Sequence, residues 1–156
     1  MQLLSTFKVL LSTFAMGLLM ASAVQAADQG SAAEAEAMTK KAVAYLKANG
    51  PEKASEEFTN GTSFKDRDLY ISYYDLNGKV LGHGANPKLV GKDLMGLKDP
   101  DGKLLVQMLC ELAKTKGKGW SESYKFRNPT TEKIAEKTMY LERVGDSWVG
   151  VGIYKK

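Results

Sequence analysis

The sequence predicts an α+β domain in which helices pack on an antiparallel sheet of about five strands. The order of the elements carries this prediction, because two helices, two strands, a third helix and three strands follow one another. Asn77-Gly78 lies between the first two strands, and this dipeptide is typical of a two-residue β-hairpin. Gly145-Asp146-Ser147 separates the last two strands and predicts a second tight hairpin. Both hairpins favour antiparallel pairing.

The first residues are predicted to form an export signal that is not part of the fold. Lys8 is the only charge in this segment, an apolar run covers Val9 to Met20, and Val24-Gln25-Ala26 is a small-x-small cleavage site. We expect a signal peptide over residues 1–26, removed on export to the periplasm. A retained membrane anchor is the alternative, but the apolar run is shorter than the roughly 20 residues that span a bilayer.

Helical periodicity describes the start of the mature chain. A flexible mature N-terminus is expected over residues 27–33, because the ends of domains are commonly frayed. Apolar residues then recur at the helical period from Glu34 to Asn49, and Asn49-Gly50-Pro51 ends this helix. Pro51 suits the first turn of a second helix over Glu52 to Phe58.

The remaining elements are strands and one helix. In the first strand, Tyr70, Ser72 and Tyr74 point to one face and Ile71, Tyr73 and Asp75 to the other. Neither face is purely polar, so we expect both to be covered. The other predicted elements are a return strand over Lys79 to Ala85, a loop over Asn86 to Asp101, an amphipathic helix over Gly102 to Lys116, and strands over Trp120 to Arg127, Lys137 to Val144 and Trp148 to Tyr154.

Charge and cysteine content exclude some classes of protein. The formal net charge is +4, but lysines and glutamates are interspersed and no basic block occurs, so we expect no nucleic-acid partner. Cys110 is the only cysteine and cannot form an internal disulfide. It lies in the apolar third helix, which favours a buried, inert thiol over a redox role.

A series of short motifs runs through the chain from about Met38 to Tyr154. The motifs are Tyr74-Asp75-x-Asn77-Gly78-x-Val80-Leu81-x-His83, Asn86-Pro87-x-Leu89-x-Gly91-Lys92, Asp99-Pro100-x-Gly102-Lys103, Gly119-Trp120-x-x-x-Tyr124, Asn128-Pro129, Lys137-x-x-Tyr140 and Val149-Gly-Val-Gly-Ile-Tyr154. In order and spacing, this series resembles the single Cache domain of the second type, a family with a PAS-like sheet behind a long N-terminal helix. The resemblance implies an extracytoplasmic sensor domain, of the kind found in chemoreceptors and histidine kinases, that binds small organic molecules and often carboxylates.

The C-terminus departs from the usual members of that family. The sequence given stops at Lys156, directly after the last predicted strand, without a kinase or a chemoreceptor coiled coil. We therefore expect one Cache sensor domain over residues 34–156, in a free-standing periplasmic form.

Lys137 is the leading candidate for contact with a ligand. It shares a strand face with Met139 and Leu141, so its ammonium group must reach water or meet an anion. A bound carboxylate would satisfy it with a charge-assisted hydrogen bond. The resemblance also implies a lysine at this position. An internal salt bridge to Asp or Glu is the alternative.

His83 is the second candidate, and it is the only histidine. It follows Leu81-Gly82 near a strand end, where glycine allows a ligand or another backbone segment to approach closely. Its imidazole can both donate and accept hydrogen bonds. The alternative is a structural histidine that binds the loop that follows. A metal site requires several ligands, so we expect none here.

Four aromatic residues complete the predicted site. Trp120 and Tyr124 belong to the Gly-Trp-x-x-x-Tyr motif, and strand alternation would place both on one face. Tyr73 and Tyr140 have similar claims. For all four, a place in the core is the alternative, because aromatic residues in strands are commonly core residues.

The sequence therefore favours binding over catalysis. His83 has no Ser or Cys partner in a recognisable motif, so nucleophilic catalysis is not expected, and no cofactor is expected. We predict a binding domain for a small organic anion such as a short-chain carboxylate. The alternative is an interaction module without a ligand, which docks on a membrane-bound sensor or forms a homodimer through its N-terminal helix.

Overall fold

The computed structural model describes residues 29–155, so the predicted signal peptide lies outside the described residues. These described residues contain three α-helices, with one turn of 3-10 helix at Pro87–Leu89 between the second and the third. The helices are α1 Ala32–Asn49, α2 Pro51–Asn60 and α3 Leu105–Thr115, and the strands are β1 Lys65–Asp66, β2 Leu69–Asp75, β3 Val80–His83, β4 Lys118–Trp120, β5 Tyr124–Arg127, β6 Ile134–Val144 and β7 Ser147–Tyr154.

Helix α1 begins at Ala32, two residues before the predicted start at Glu34, because Ser31 caps it. The Glu34 backbone N–H donates to Ser31 Oγ at 3.3 Å, and the Ser31 backbone N–H donates to Glu34 Oε2 at 2.8 Å. This reciprocal pair is a capping box. Ala32 and Ala33 are therefore part of the helix.

The sheet is antiparallel throughout, as predicted. Strand β7 lies at its centre and pairs with β2 on one side and β6 on the other. Strands β1 and β3 both pair with β2, and β4 and β5 both pair with β6. The described part of the chain has seven strands where about five were expected, because β1 is a short addition and the predicted strand over Trp120 to Arg127 is divided into β4 and β5.

The connection from β4 to β5 has one residue more than the segment of β6 that it runs beside. Trp120 pairs with Tyr140 and Tyr124 pairs with Lys137, so four steps along one strand match three along β6. A one-residue irregularity of this kind reverses the face on which the following side chains lie. Trp120 and Tyr124 consequently lie on opposite faces of the sheet, and not on one face as the alternation predicted.

Both faces of the sheet are covered, which confirms the expectation from the first strand. Helices α1 and α2 cover one face, and α3 with the loop before it covers the other. The first core includes Ala42, Leu46, Phe58, Ile71, Tyr73, Val149 and Val151, and the second includes Tyr74, Val80, Leu105, Leu109, Tyr124, Met139, Leu141 and Trp148.

No helix within residues 29–155 is long and apolar enough to cross a membrane.

Candidate ligand-binding site

Lys137 lies on β6 on the sheet face that α3 covers, and its side chain is buried, with 1% of its surface exposed. It stands opposite Tyr154 of β7 and Tyr124 of β5. The stem of the lysine passes over Gly152, where an added Cβ would lie only 2.0 Å from Lys137 Cε. Glycine at this position therefore leaves the room that the lysine occupies.

The ammonium group of Lys137 is surrounded by hydroxyl groups and aromatic rings. Its Nζ donates to Tyr70 Oη at 2.7 Å and to Tyr154 Oη at 3.3 Å. It also lies 4.3 Å from the ring centroid of Tyr70, 4.8 Å from that of Tyr154 and 5.2 Å from that of Phe126. Within residues 29–155, no Asp or Glu oxygen forms an ion pair with it.

This environment makes the charged form of Lys137 costly. Burial lowers the pKa of Lys137 to about 7, and the negative charge of Asp68 opposes this shift without cancelling it. Hydroxyl dipoles and ring faces replace only part of the hydration that an ammonium group loses. An anion next to Nζ would supply the missing opposite charge.

The two tyrosines that contact Lys137 form a short hydrogen-bonded chain. Their hydroxyl oxygens lie 3.1 Å apart, and Tyr154 Oη donates to the Arg127 carbonyl oxygen at 2.8 Å. Burial raises the pKa of both Tyr70 and Tyr154. Both hydroxyls therefore stay protonated at neutral pH and cannot act as counter-charges.

His83 lies at the end of β3 and is also buried, with its ring centroid 5.2 Å from that of Tyr70. Its Nδ1 accepts a hydrogen bond from the Asn86 backbone N–H at 3.0 Å, so the neutral ring carries its proton on Nε2. Burial lowers the pKa of His83 to about 3, and the positive charge of Lys137 lowers it further. Nε2 has no hydrogen-bond partner among the described residues, so His83 both binds the loop and keeps a free donor.

A small cavity of about 10 Å³, here called the inner cavity, adjoins Lys137 and His83. A volume of this size holds about one water molecule. Ser72, Tyr74 and Tyr124 also line it, and their hydroxyl groups form no hydrogen bond with another described residue. Apolar side chains complete its walls, namely Leu105, Leu109, Phe126 and Met139.

A larger volume of about 410 Å³, here called the outer cleft, lies beside the inner cavity. His83 and Phe126 line both volumes. Arg127 and Glu132 lie at its rim, where their side chains are largely exposed and form an ion pair with a separation of 3.5 Å. The other lining residues are Tyr70, Ala85, Asn86, Leu89 and Pro129.

The structure brings together three of the six predicted site residues. Lys137, His83 and Tyr124 all line the inner cavity. The inner cavity also includes residues that sequence reasoning did not select, namely Ser72, Tyr74 and Phe126, and the ammonium partners Tyr70 and Tyr154 were likewise missed. The alternation of Tyr70, Ser72 and Tyr74 on one strand face was visible in the sequence and could have indicated three of them.

The other three predicted residues lie on the face that α1 and α2 cover. Trp120 packs on Tyr140 with ring centroids 5.6 Å apart, and its Nε1 donates to Glu36 Oε1 at 2.9 Å. Tyr73 packs on Phe58 with centroids 5.8 Å apart. Tyr73 and Tyr140 point away from the cavity because their neighbours on β2 and β6 point toward it. Trp120 pairs with Tyr140 and therefore lies on the same face, whereas the extra residue between β4 and β5 turns Tyr124 toward the cavity.

Within residues 29–155, no group of three or more His, Cys, Asp or Glu side chains is placed to hold a metal ion. Cys110 is buried, accepts from Trp148 Nε1 at 3.4 Å, and has a pKa raised by burial. The arrangement is suited to holding a small molecule through hydrogen bonds and one positive charge.

This chain is similar in sequence to domains of known sensor proteins. The family model described as Single Cache domain 2 matches residues 12–156. The methyl-accepting chemotaxis protein McpP of Pseudomonas putida is 33% identical over 91 residues, which cover 57% of this chain and 16% of that protein. The sensor histidine kinase MctS of Rhizobium johnstonii is 32% identical over 91 residues, which cover 56% of this chain and 19% of that protein. The chain thus spans less than a fifth of these relatives.

Solved structures agree with the family match. A methyl-accepting chemotaxis protein from Vibrio parahaemolyticus superposes with a TM-score of 0.67 at 26% identity, covering 78% of this chain and 86% of that chain. A second structure, reported as the structural basis for carboxylic acid recognition by a Cache chemosensory domain, has a TM-score of 0.67 at 25% identity and covers 80% of this chain and 92% of that chain. The predicted α+β fold with a PAS-like sheet is confirmed.

Proposed function

Because the chain belongs to the Single Cache domain 2 family, we propose that it is an extracytoplasmic sensor domain that binds a small organic anion beside Lys137. A short-chain carboxylate or hydroxy acid is the proposed class, and the inner cavity must widen to accept it, since its free volume holds about one water molecule. The observation that carries this proposal is the buried ammonium group of Lys137, which has only hydroxyl and aromatic partners among the described residues.

The lining of the inner cavity supports a carboxylate in particular. A carboxylate has two oxygens that accept several hydrogen bonds, and Lys137, His83 Nε2 and the cavity hydroxyls are donors with spare capacity. The apolar walls suit a short hydrocarbon portion. A Cache chemosensory domain that is 25% identical to this chain is reported to recognise carboxylic acids.

The cellular role follows from the same family. We propose that residues 1–26 direct export to the periplasm and that the bound anion is sensed there. A membrane-bound sensor is the proposed partner, since the curated relatives are a chemotaxis receptor and a sensor histidine kinase.

Calorimetry and thermal shift with a defined set of probes test the binding proposal. Acetate, propionate, lactate and pyruvate are titrated up to about 10 mM, and stabilisation should increase with concentration by mass action. Acetamide and propionamide have similar shapes without the charge and should give no stabilisation. Absence of stabilisation by every carboxylate would contradict the proposal.

A matched pair of variants tests the role of the ammonium group. Lys137→Met keeps an unbranched apolar stem and removes the charge, so it should abolish carboxylate binding while the chain stays folded. Lys118→Met removes an exposed lysine on β4 and should leave binding unchanged. Equal carboxylate affinity in Lys137→Met and in the wild type would exclude Lys137 as the counter-charge.

The alternative of an interaction module without a ligand stays a prediction. Among the described residues, the exposed large apolar side chains are Val90 and Ile134, and neither lies on α1. Light scattering of the purified protein reports its oligomeric state directly, and a stable dimer would support that alternative.

A further inference from the structure

We propose that Phe126 sets the upper size limit of the ligand, because its ring is the removable wall between the inner cavity and the outer cleft. A smaller side chain at this position would join the two volumes and admit longer carboxylates. This inference rests on the proposed anion binding and concerns its specificity.

Phe126 and His83 are the two residues that line both volumes, and their chemistry differs. His83 is fixed by the hydrogen bond from the Asn86 backbone N–H and supplies a donor to the cavity. Phe126 presents only apolar surface, and its ring centroid lies 5.2 Å from Lys137 Nζ. The ring therefore closes the chamber next to the ammonium group without taking part in hydrogen bonding.

The two volumes differ enough for this wall to control ligand size. The inner cavity measures about 10 Å³ and the outer cleft about 410 Å³. A ligand held at Lys137 has little room to extend while the ring is in place. Once the ring is removed, each further methylene that becomes buried is worth roughly fourfold in affinity.

The position of Phe126 in the sheet makes such a change tolerable. It lies on the short strand β5, whose described pairing is with β6 alone, and its pairing partner is the small residue Ala135. Its side chain is only partly buried, whereas Tyr124 on the same strand is 4% exposed. Truncation at Phe126 therefore removes a boundary of the site more than a deep part of the core.

Calorimetry with acetate, propionate, butyrate and hexanoate tests the inference on the full chain. In the wild type, affinity should be highest for a short probe and at least tenfold lower for hexanoate. Phe126→Ala should reduce the ratio of short-probe affinity to hexanoate affinity at least tenfold, and Phe126→Leu should give an intermediate ratio. Ile134→Ala removes an exposed apolar side chain from the adjacent strand and should leave the ratio unchanged.

The outcomes separate the two proposals. If the wild type binds none of the four probes, the proposed function fails. If the wild type binds short probes and both folded Phe126 variants keep the wild-type ratio, the proposed function stands and the role of Phe126 is overturned. Circular dichroism establishes folding, and if Phe126→Ala does not fold, Phe126→Leu decides the question alone.

Discussion

The charge of Lys137 depends on its burial. Its pKa is about 7 in the folded chain, against 10.5 for an exposed lysine. Between these two values the unfolded chain binds a proton that the folded chain does not bind. The contribution of Lys137 to the free energy of unfolding therefore increases with pH across this window, and its full cost is present below pH 7.

Lys137→Met should therefore stabilise the unliganded protein in a pH-dependent way. Replacing a buried, incompletely paired charge by an apolar group of similar shape removes the desolvation cost of the charge. We therefore expect the free energy of unfolding to rise by about 1–3 kcal/mol at pH 6. The gain should shrink between pH 7 and pH 10, as the wild-type lysine loses its proton. Urea denaturation at several pH values measures this difference, with Lys118→Met as the control. A difference that does not vary with pH would contradict the assigned environment.

Strand β7 is the element that makes room for the site. Gly150 and Gly152 lie on the face that α3 covers, where added Cβ atoms would meet Met139 Sδ at 2.9 Å and Lys137 Cε at 2.0 Å. The lysine stem can cross β7 toward Tyr70 on β2 because Gly152 has no side chain. The Val149-Gly-Val-Gly-Ile-Tyr154 motif is thus part of the site through the space it leaves.

Gly152→Ala should displace Lys137 and weaken binding. Overpacking of this kind costs about 1–3 kcal/mol of folding free energy, and acetate affinity should decrease at least tenfold because the ammonium group moves. Denaturation and calorimetry measure the two effects. Gly96→Ala is the matched control, since an added Cβ there meets no atom within 4 Å. Unchanged acetate affinity in a folded Gly152→Ala protein would show that the lysine does not need this path.

The sheet divides the whole molecule into two cores, and the candidate site belongs to one of them. Trp148 stacks on Tyr74 with ring centroids 4.7 Å apart, and Tyr74 lines the inner cavity. Trp120 lies on the opposite face against Tyr140. The two tryptophans of the sequence therefore report on different faces of the sheet.

Acetate should change the fluorescence of Trp148 and not that of Trp120. In Trp120→Phe, the remaining signal from Trp148 should keep the acetate-dependent change. In Trp148→Phe, the change should be lost although acetate still binds by calorimetry. The reverse pattern would place the anion on the face covered by α1 and α2, beside Trp120, Tyr140 and Tyr73.

The helices, the positions of both hairpins, the family resemblance and the presence of Lys137 on an apolar strand face could be predicted from the amino-acid sequence. These features depend on periodicity and turn chemistry within a few neighbouring residues. The length of the first hairpin was predicted wrongly, because four residues and not two separate β2 from β3. Strand pairing in the folded chain places Trp120 and Tyr124 on opposite faces and brings Tyr70 and Tyr154 to the ammonium group. Neither arrangement could be read from local patterns, because one extra residue between two strands reverses a strand face. The contact between Tyr70 and Lys137 likewise depends on how their strands are paired in the sheet, because the two residues lie 67 positions apart in the chain.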